Sequence, residues 1–362
     1  MTSPSLATGS PDAPSAVYDV ALLDLDGVVY VGPHAVPGVP DVLVSASAAG
    51  MRLGFVTNNA ARTPDQVAAH LAELGVPAEP ADVITSSQAA ASVVAQLLGP
   101  AAKVLAVGGP GVAAALREAG LAVVERAEDD PVAVVQGYGP QVGWVQLSEA
   151  VVAVRNGARH VATNTDATVP SPRGPLPGNG AMVGVVSAVT GVRPLVTGKP
   201  DPAMHAECVR RTAARRPLVV GDRLDTDIEG ARRAGAASLL VFTGVTDPAT
   251  LLRAAPEQRP DLLAPDAAGL LVPHPAVAAD GGAWRCGSWT VRSAEGDDVL
   301  LLAAPGDAHG GDGLDGLRAL CVAHWSRHSD AGAAVRVVAT DDASARALHR
   351  WGLAQRATAG GS

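Results

Sequence analysis

The stretch that most constrains the fold is VALLDLDGVVY at positions 20–30, in which the apolar run VALL leads into two carboxylates. An apolar run free of glycine and proline is typical of a strand buried on both faces of a parallel sheet. Side chains alternate along a strand, so Asp24 and Asp26 point in a similar direction, and Gly27 lets the chain turn away. Because open α/β sheets bind ligands at the carboxyl ends of strands, we predict both acids in a crevice. The alternative is an Asx-rich corner between strand and loop.

Composition limits the classes of protein to which the chain can belong. With 362 residues, it favours two or three domains over a single core. Hydrophobic residues make up 48% of it and the mean hydropathy is +0.20, which indicates a globular protein, and no apolar run is long enough to cross a bilayer. The net charge is -9 and no block of lysine and arginine compensates it. We therefore expect neither a nucleic acid nor a membrane among the partners.

The cysteines and the N-terminus indicate where the protein works. Cys208, Cys286 and Cys321 are scattered and form no CxxC pair, as is typical of a reduced cytoplasmic protein. Positions 1–16 are rich in serine, proline and alanine, and they lack the basic head and apolar centre of a signal peptide. We predict a disordered tail over 1–16 and a cytoplasmic location.

A second strand, MRLGFVT at positions 51–57, ends in a hydroxyl group followed by two amides, Thr57, Asn58 and Asn59. A threonine O–H and the backbone N–H groups of a turn suit a phosphate oxygen. Alternatively, Asn58, Asn59 or Thr63 before Pro64 caps the helix that follows. The two roles are compatible, because an anion binds well at a helix N-terminus.

The middle of the chain repeats a strand–helix rhythm and resembles a small inserted α/β domain. Its GGPG turn at 108–111 lacks the GxGxxG and GK[ST] patterns, so we interpret it as a plain turn. A TNTD segment ending at Asp166 precedes a proline- and glycine-rich loop, and loops of this length often line a site. We therefore include Asp166 among the candidate substrate-binding residues.

Two further strand ends carry charged residues. Lys199 lies in a GKP turn and is one of two lysines in a chain whose other cations are arginines, which favours a role for a compact point charge over an ordinary surface lysine. The strand at 217–221 runs into GDRLDTD, and its carboxylates suit Mg²⁺. We rank Asp222 first as a ligand and Asp227 second, and we expect Asp225 to be structural.

The motifs DxDGV, VTNN, GKP and GDRxxTD, in this order, are similar to those of the haloacid dehalogenase superfamily of phosphatases. The long segment between VTNN and GKP resembles the cap of its class IIA, C2-capped branch. The resemblance implies a Rossmann-like doubly wound parallel α/β core over 17–98 and 193–275 and an inserted α/β cap over 99–192. It also implies a Mg²⁺-dependent phosphomonoester hydrolase, and members of this class often form homodimers through the cap.

The resemblance implies a role for each motif residue. Asp24 would be the nucleophile and a Mg²⁺ ligand, and Asp26 the general acid and base, which also binds the metal through its backbone carbonyl. The phosphate would be held by Lys199 and by the turn of Thr57, Asn58 and Asn59. Asp222 would be the second carboxylate ligand, with Asp227 behind it. The acid at position 26 argues against a metal-free dehalogenase, and a phosphomutase is a less favoured outcome with this cap.

Substrate choice is predicted from the cap, which covers the leaving group in such enzymes. The loop at 164–180 and the turn at 137–139 are therefore candidates for specificity. Gly139 replaces an acidic residue common in the family, and Val169 aligns with a histidine of the pyridoxal-phosphate enzyme. With 3% aromatic residues, the chain favours a small polyol or hydroxy-acid phosphate. Similarity to bacterial enzymes with an added C-terminal segment favours glycerol 3-phosphate, and the alternatives are 2-phosphoglycolate, pyridoxal phosphate and nucleotides.

The last part of the chain, 283–362, contains four of the five tryptophans and indicates a separate small α+β domain after a flexible linker at 276–282. Its end resembles the closing half of a Gcn5-related acetyltransferase. Its AHGGDG loop at 308–313 lacks the leading Gln or Arg of a pyrophosphate loop, and nearby acids (Asp307, Asp312 and Asp315) would repel a pyrophosphate. We predict a non-catalytic module for packing, oligomerisation or effector binding. The alternative is a regulatory protein that acts through CoA or effector binding here.

One pair of histidines in this domain has the spacing of a metal site. His324 and His328 are four residues apart on a predicted helix. No third ligand accompanies them, so we expect a partly exposed helix face.

Overall fold

The computed structural model describes residues 5–169, 171, 173–294, 299–304, 311–328, 332–333 and 335–354. These residues form one six-stranded sheet, two five-stranded sheets and two small hairpins. No helix in the described part of the chain is long and apolar enough to cross a membrane.

The six-stranded sheet is parallel throughout and is the core sheet of the predicted doubly wound α/β fold. Its strands are β1 (Val20–Asp24), β4 (Arg52–Thr57), β5 (Val83–Thr85), β13 (Pro217–Gly221), β14 (Ala237–Val241) and β15 (Leu262–Ala264). Their order is β15-β14-β13-β1-β4-β5, so β1 has β4 on one side and β13 on the other. The strand order reverses at β1, and this reversal opens a crevice at the carboxyl ends of these three strands.

Helices cover both faces of this sheet because successive residues of β1 point to opposite sides. Leu23 packs with the face that holds Leu43 and Leu71, and Leu22 packs with the face that holds Met204. The helices are α1 (Pro14–Val17), α2 (Val39–Ala48), α3 (Pro64–Glu73), α4 (Ser86–Leu98), α8 (Pro202–Thr212), α9 (Glu229–Arg233) and α10 (Pro248–Leu252). Shorter elements are the hairpin β2 (Tyr30–Val31) and β3 (His34–Ala35), the π-helical turn Leu224–Ile228, and the 3-10 turns Pro80–Asp82, Pro256–Gln258 and Ala267–Leu271.

The inserted segment, which was predicted to be an α/β cap, forms a parallel sheet of its own. The strands are β6 (Lys103–Val107), β7 (Ala122–Val124), β8 (Ala133–Gln136), β9 (Arg159–Ala162) and β12 (Leu195–Val196), in the order β12-β9-β8-β6-β7. The remaining elements are the helices α5 (Pro110–Glu118), α6 (Trp144–Arg155) and α7 (Asn179–Thr190), the hairpin β10 (Thr168–Val169) and β11 (Leu176–Pro177), and the 3-10 turn Ala127–Asp129.

The predicted boundary at 192/193 is wrong by a few residues. The strand β12 had been expected in the core, but Leu195 pairs with Val161 of the cap sheet. The apolar pattern of a short strand does not reveal which sheet it joins, because that depends on the partner strand. The chain returns to the core only after Val196.

The C-terminal sheet is antiparallel except for its last pair. It consists of β16 (Ala278–Asp280), β17 (Ala283–Cys286), β18 (Trp289–Ser293), β19 (Val299–Ala303) and β20 (Arg336–Ala339), with the helices α11 (Asp315–Arg327) and α12 (Asp342–Arg350). Trp289 and Trp351 meet in its core with ring centroids 5.8 Å apart. The predicted flexible linker at 276–282 is wrong for 278–280, since backbone pairing with β17 orders those residues.

Residues 5–16 are ordered, contrary to the prediction of a disordered tail over 1–16. Ser10 pairs with His274 through two backbone hydrogen bonds of 2.8 and 2.9 Å. Leu6 is 4% exposed and packs in the apolar cluster shared by the core and the C-terminal domain. Local composition suggested disorder, but apolar contacts made by distant residues compensate for the ordering entropy. The first four positions lie outside the described residues.

Candidate active site

Three neighbouring strands bring the predicted motif residues to one edge of the core sheet. β1 ends at Asp24, β4 ends at Thr57, and Asp222 follows the end of β13. Together with the cap they enclose a cleft of about 470 Å³. Its walls are formed by Asp24, Asp26, Thr57, Asn58, Asn59, Tyr138, Asn164, Asp166, Thr168, Val169, Pro175, Asn179, Lys199, Asp222, Arg223, Thr226 and Val245. Asp227 lies beside this cleft, and so the structure gathers every candidate residue at one place.

Lys199 forms the charged centre of the site. Its Nζ donates to Asp24 Oδ1 at 2.5 Å and to Asp227 Oδ1 at 2.7 Å. Burial alone would lower the pKa of this lysine, but the two carboxylates raise it well above its usual range. The ammonium group therefore stays charged and partly neutralises the carboxylates around it.

The carboxylates of Asp222 and Asp227, which are buried, and of Asp24, which is 13% exposed, form a cluster that would suit a hard divalent cation. Each offers an oxygen, and these oxygens lie within 4.8 Å of one another. Burial, followed by repulsion between the acids, raises the pKa of each to about 6 despite the attraction of Lys199. Asp222 Oδ2 accepts from the Val245 N–H at 2.7 Å, but Asp222 Oδ1 is buried without a partner. A buried, unpaired carboxylate oxygen beside two other acids fits a Mg²⁺ ligand set.

Two glycines make room for the Asp222 carboxylate. A Cβ atom at Gly27 would lie 2.5 Å from Asp222 Oδ2, and one at Gly244 would lie 2.0 Å from it. Gly27 also has a φ of +87°, which L side chains rarely adopt. Backbone from two loops thus closes tightly around this carboxylate.

Asp26 lies outside the carboxylate cluster and opens onto the cleft. The surrounding walls raise the pKa of its carboxyl group by desolvation, while Lys199, Arg62 and His70 act in the opposite direction. A carboxyl group with a raised pKa can donate a proton and later accept one. Its predicted use of the backbone carbonyl as a metal ligand stays a prediction.

The turn after β4 is held by its own side chains. Thr57 Oγ1 accepts from the Asn59 N–H at 3.0 Å, and Asn59 Oδ1 accepts from the Ala61 N–H at 2.9 Å. Thr63 caps α3 through a capping box with Gln66, so neither asparagine has that role. The turn thus remains at the cleft wall, where phosphate binding was predicted.

Asp166 belongs to the cap side of the cleft. Its Oδ2 accepts from Asn58 Nδ2 at 3.3 Å, and its backbone N–H donates to Asn164 Oδ1 at 3.1 Å. Burial raises the pKa of Asp166. The residue thus contacts the core turn as well as lining the cleft.

Sequence reasoning missed three residues of the cleft wall, Arg223, Thr226 and Val245. Arg223 follows Asp222 directly, so its place beside a candidate ligand was a usable signal. Val245 lies in a loop after β14, and no local pattern indicates that its N–H reaches Asp222. Asp225, expected to be structural, is 60% exposed and pairs with Arg223 at 2.8 Å.

Only one of the two histidines departs from the partly exposed helix face that was expected: His324 is buried in α11, whereas His328, which caps the end of the helix, is partly exposed. Their ring centroids are 4.8 Å apart, but His324 is 3% exposed because α11 is buried along most of its length. Burial lowers the pKa of His324 to about 4. The cluster of Asp24, Asp222 and Asp227 is the one group of metal-ligating side chains found among the described residues.

Three segments of the chain match models of known protein families. Residues 21–122 match the family model of haloacid dehalogenase-like hydrolases, and residues 196–270 match a second model of the same type. Residues 286–353 match the GCN5-related N-acetyltransferase like domain.

Individual relatives extend this similarity over the whole chain. D-glycerol 3-phosphate phosphatase of Mycobacterium tuberculosis is 43% identical over 347 residues, which cover 93% of this chain and 94% of that protein. The acid sugar phosphatase of Staphylococcus aureus is 38% identical and covers 63% of this chain and 88% of its own length. The crystal structure of glycerol phosphate phosphatase from M. tuberculosis in complex with magnesium has a TM-score of 0.84 at 42% identity and covers 95% of this chain and 99% of that one.

These similarities agree with the sheet order, the inserted cap and the carboxylate–lysine cluster. The chain belongs to the haloacid dehalogenase-like hydrolases, and it is an enzyme of the phosphatase type.

Proposed function

We propose that the protein is a Mg²⁺-dependent phosphomonoester hydrolase whose substrate is D-glycerol 3-phosphate. The observation that carries the proposal is Lys199 Nζ, 2.5 Å from Asp24 and 2.7 Å from Asp227, next to the unpaired oxygen of Asp222. The nearly full-length similarity to an enzyme named for glycerol 3-phosphate supports the choice of substrate.

The metal would be held by Asp24, Asp222 and Asp227, with the backbone carbonyl of Asp26 as a further ligand. The magnesium-bound structure of the M. tuberculosis enzyme supports the identity of the ion. When bound, Mg²⁺ supplies positive charge that reduces repulsion between the acids and the phosphate dianion.

The protein's own residues would then carry out two displacements at phosphorus. An oxygen of Asp24 attacks the phosphorus while the bond to the leaving oxygen breaks and Asp26 gives that oxygen its proton. Asp26 next takes a proton from water as the water displaces Asp24 and releases inorganic phosphate. Lys199 keeps the largely buried Asp24 ionised, and the Thr57 turn supplies an O–H and backbone N–H groups to the phosphate oxygens.

The cap wall supports a leaving group rich in hydroxyls. Tyr138, Thr168 and Asn179 offer neutral hydrogen-bonding groups. Tyr138 is the one aromatic residue among those that line the cleft, and one ring cannot sandwich a nucleotide base or a pyridine ring. Sugar phosphates are the second candidate, because the cleft of about 470 Å³ is roomy for glycerol phosphate and acid sugar phosphatases are among the relatives.

The test is phosphate release from glycerol 3-phosphate, 2-phosphoglycolate, a hexose phosphate, pyridoxal phosphate and nucleoside monophosphates, with Mg²⁺ and with EDTA. We expect glycerol 3-phosphate to lead in kcat/KM and EDTA to stop release. Asp24→Asn removes the nucleophile and should abolish turnover, whereas Asp41→Asn, an exposed acid of α2, should not. Appreciable turnover by Asp24→Asn or in EDTA would overturn the mechanism, and a better hexose phosphate would overturn the substrate.

We propose the predicted domain division in adjusted form, with the core at 17–98 and 197–275, the cap at 99–196 and the C-terminal domain from 278 onward.

The C-terminal domain is proposed as a non-catalytic packing module. Asp312 Oδ1 accepts from the Leu314 N–H at 3.0 Å at the start of α11, and both Asp312 and Asp315 pair with Arg318. An internal carboxylate thus meets the helix end where a pyrophosphate would need free N–H groups. Saturable binding of acetyl-CoA by the full chain would favour the effector-binding alternative.

We further propose that two copies pair through the cap, in the cytoplasm. Exposed apolar side chains on α6 and α7 support a covered surface there, with Trp144 84% and Val189 60% exposed. The three buried free cysteines support a reducing compartment. Light scattering should give a dimer that Trp144→Glu with Val189→Glu converts to a monomer, and a monomeric wild type would contradict the proposal.

A further inference from the structure

The side chain of Asn58 is committed to the protein itself. Its Oδ1 accepts from the Lys199 N–H at 2.9 Å, and its Nδ2 donates to the Lys199 carbonyl at 3.2 Å and to Asp166 Oδ2 at 3.3 Å. The orientation of the amide is fixed, because a donor must face the carbonyl and the carboxylate while an acceptor faces the N–H. A phosphate oxygen would have to compete with all three bonds for this side chain.

Lys199 is the residue where the chain returns from the cap to the core. Two residues separate it from the end of β12 in the cap sheet, and it precedes α8 of the core. Gly198 passes between the two parts so closely that a Cβ atom there would lie 2.2 Å from Thr163 O and 2.7 Å from Asn58 Oδ1. The side-chain amide of Asn58 thus binds the main chain of Lys199 where the chain passes from the cap to the core.

The main chain of Asn58 is itself held from both sides. Its carbonyl accepts from Ser86 Oγ of the core at 2.7 Å and from Asn164 Nδ2 of the cap at 2.7 Å. Through Asn164 and Asp166 the cap loop therefore contacts the residue that fixes Lys199. A displacement of that loop can therefore shift Lys199 through the hydrogen bonds of Asn58.

We propose that Asn58 is a positioning residue that holds the main chain of Lys199 and ties it to Asp166 of the cap. This inference rests on the proposed function of the site and changes the role of Asn58 from a phosphate ligand to a support of the lysine. The lysine Nζ must meet Asp24 and the phosphate together, so a small displacement of its backbone matters for the transition state.

The test compares Asn58→Ala, Asn58→Asp, Asp166→Asn and the double variant Asn58→Asp with Asp166→Asn. Asn58→Ala should lower kcat by about 10- to 100-fold with little change in KM, since misplacement by about 1 Å costs rates of this order. Asn58→Asp should be worse, because two carboxylates would then face each other. The double variant restores a donor opposite a carboxylate, and it should recover at least about tenfold of the kcat that Asn58→Asp loses.

Hydrogen–deuterium exchange supplies a readout that does not depend on turnover. The segment 198–201 should exchange faster in Asn58→Ala than in the wild type, because the Lys199 N–H loses its acceptor. Asn156→Ala, an exposed cap residue at the end of α6, should leave both exchange and kcat unchanged.

Each result separates the alternatives. A raised KM with unchanged kcat in Asn58→Ala would make Asn58 a phosphate ligand and overturn the proposal. Unchanged exchange at 198–201, or a double variant no better than Asn58→Asp, would also overturn it. If the wild type releases no phosphate from any ester while exchange at 198–201 responds to Asn58→Ala, the proposed function fails and the positioning contact stands.

Discussion

At the residue scale, the site combines one largely buried ammonium group with three carboxylates, two of them buried and the third, of Asp24, largely so. Lys199 contacts Asp24 and Asp227, but the third acid, Asp222, keeps an oxygen without a partner. Burying charges costs free energy unless they are paired. The cluster therefore favours uptake of either protons or a cation, and which of the two it takes depends on pH.

The pH dependence of metal binding follows from the raised pKa values. Each of the three carboxyl groups has a pKa of about 6 in the folded chain, above the ordinary aspartate value of 3.8 that applies to the unfolded chain. Between these two pKa values the folded state binds more protons than the unfolded state. The contribution of the three carboxyl groups to the free energy of unfolding therefore falls as pH rises toward about 6. Mg²⁺ competes with those protons, so the stabilisation by Mg²⁺ should grow over the same range.

The measurement is the melting temperature with Mg²⁺ minus that with EDTA, from about pH 5 to about pH 8. The difference should be small at the acid end and rise to the equivalent of about 3 kcal/mol when Mg²⁺ is at roughly 100 times its Kd. Asp222→Asn should remove most of it. A difference that does not vary with pH would contradict the raised pKa values.

At the element scale, the chemistry depends on loops that follow buried strands. The strands β1, β4 and β13 fix where the side chains begin, and tight loops fix where they end. The loop after β14 is one of these, because Gly244 and Val245 close over the Asp222 carboxylate from a distant part of the sequence. Such supporting contacts orient a metal ligand without touching the metal.

Gly244→Ala tests this loop. The added Cβ would lie 2.0 Å from Asp222 Oδ2, so either the loop or the Asp222 side chain must shift. We expect the Mg²⁺ concentration for half-maximal activity to rise by about 10- to 100-fold, as for other changes behind a metal ligand. Gly184→Ala in α7, where nothing lies within 4 Å, is the matched control. Equal Mg²⁺ requirements in the two variants would refute the role of the loop.

At the scale of the whole molecule, the N-terminal segment, the core and the C-terminal domain share apolar packing. Leu6, Leu251 of α10 and Leu317 of α11 belong to one buried cluster. Arg318, 1% exposed, donates to the carbonyl of Leu263 in β15, and Trp325 Nε1 donates to the carbonyl of Leu252. The C-terminal domain is thus attached to the core by apolar contacts and by these two hydrogen bonds.

Leu6→Ala tests this packing at a residue that composition placed in a disordered tail. Removing a buried leucine side chain costs about 2 kcal/mol or more, so the urea midpoint followed by tryptophan fluorescence should fall. Leu97→Ala, at a side chain that is 50% exposed in α4, should change stability by less than about 0.5 kcal/mol. A midpoint unaffected by Leu6→Ala would mean that the segment does not pack in solution.

The sequence by itself determined the core strands, the inserted cap, the separate C-terminal domain and the candidate residues of the cleft. These follow from local patterns, since a buried strand ending in polar residues carries its signal in consecutive positions and parallel strands bring such ends together. Only the tertiary structure decided which sheet Leu195–Val196 joins, that Leu6 is buried, and that Asn58 holds Lys199. Those outcomes depend on contacts with residues that are distant in sequence. Such contacts can outweigh the conformational preference of a short stretch, and a local pattern does not contain them.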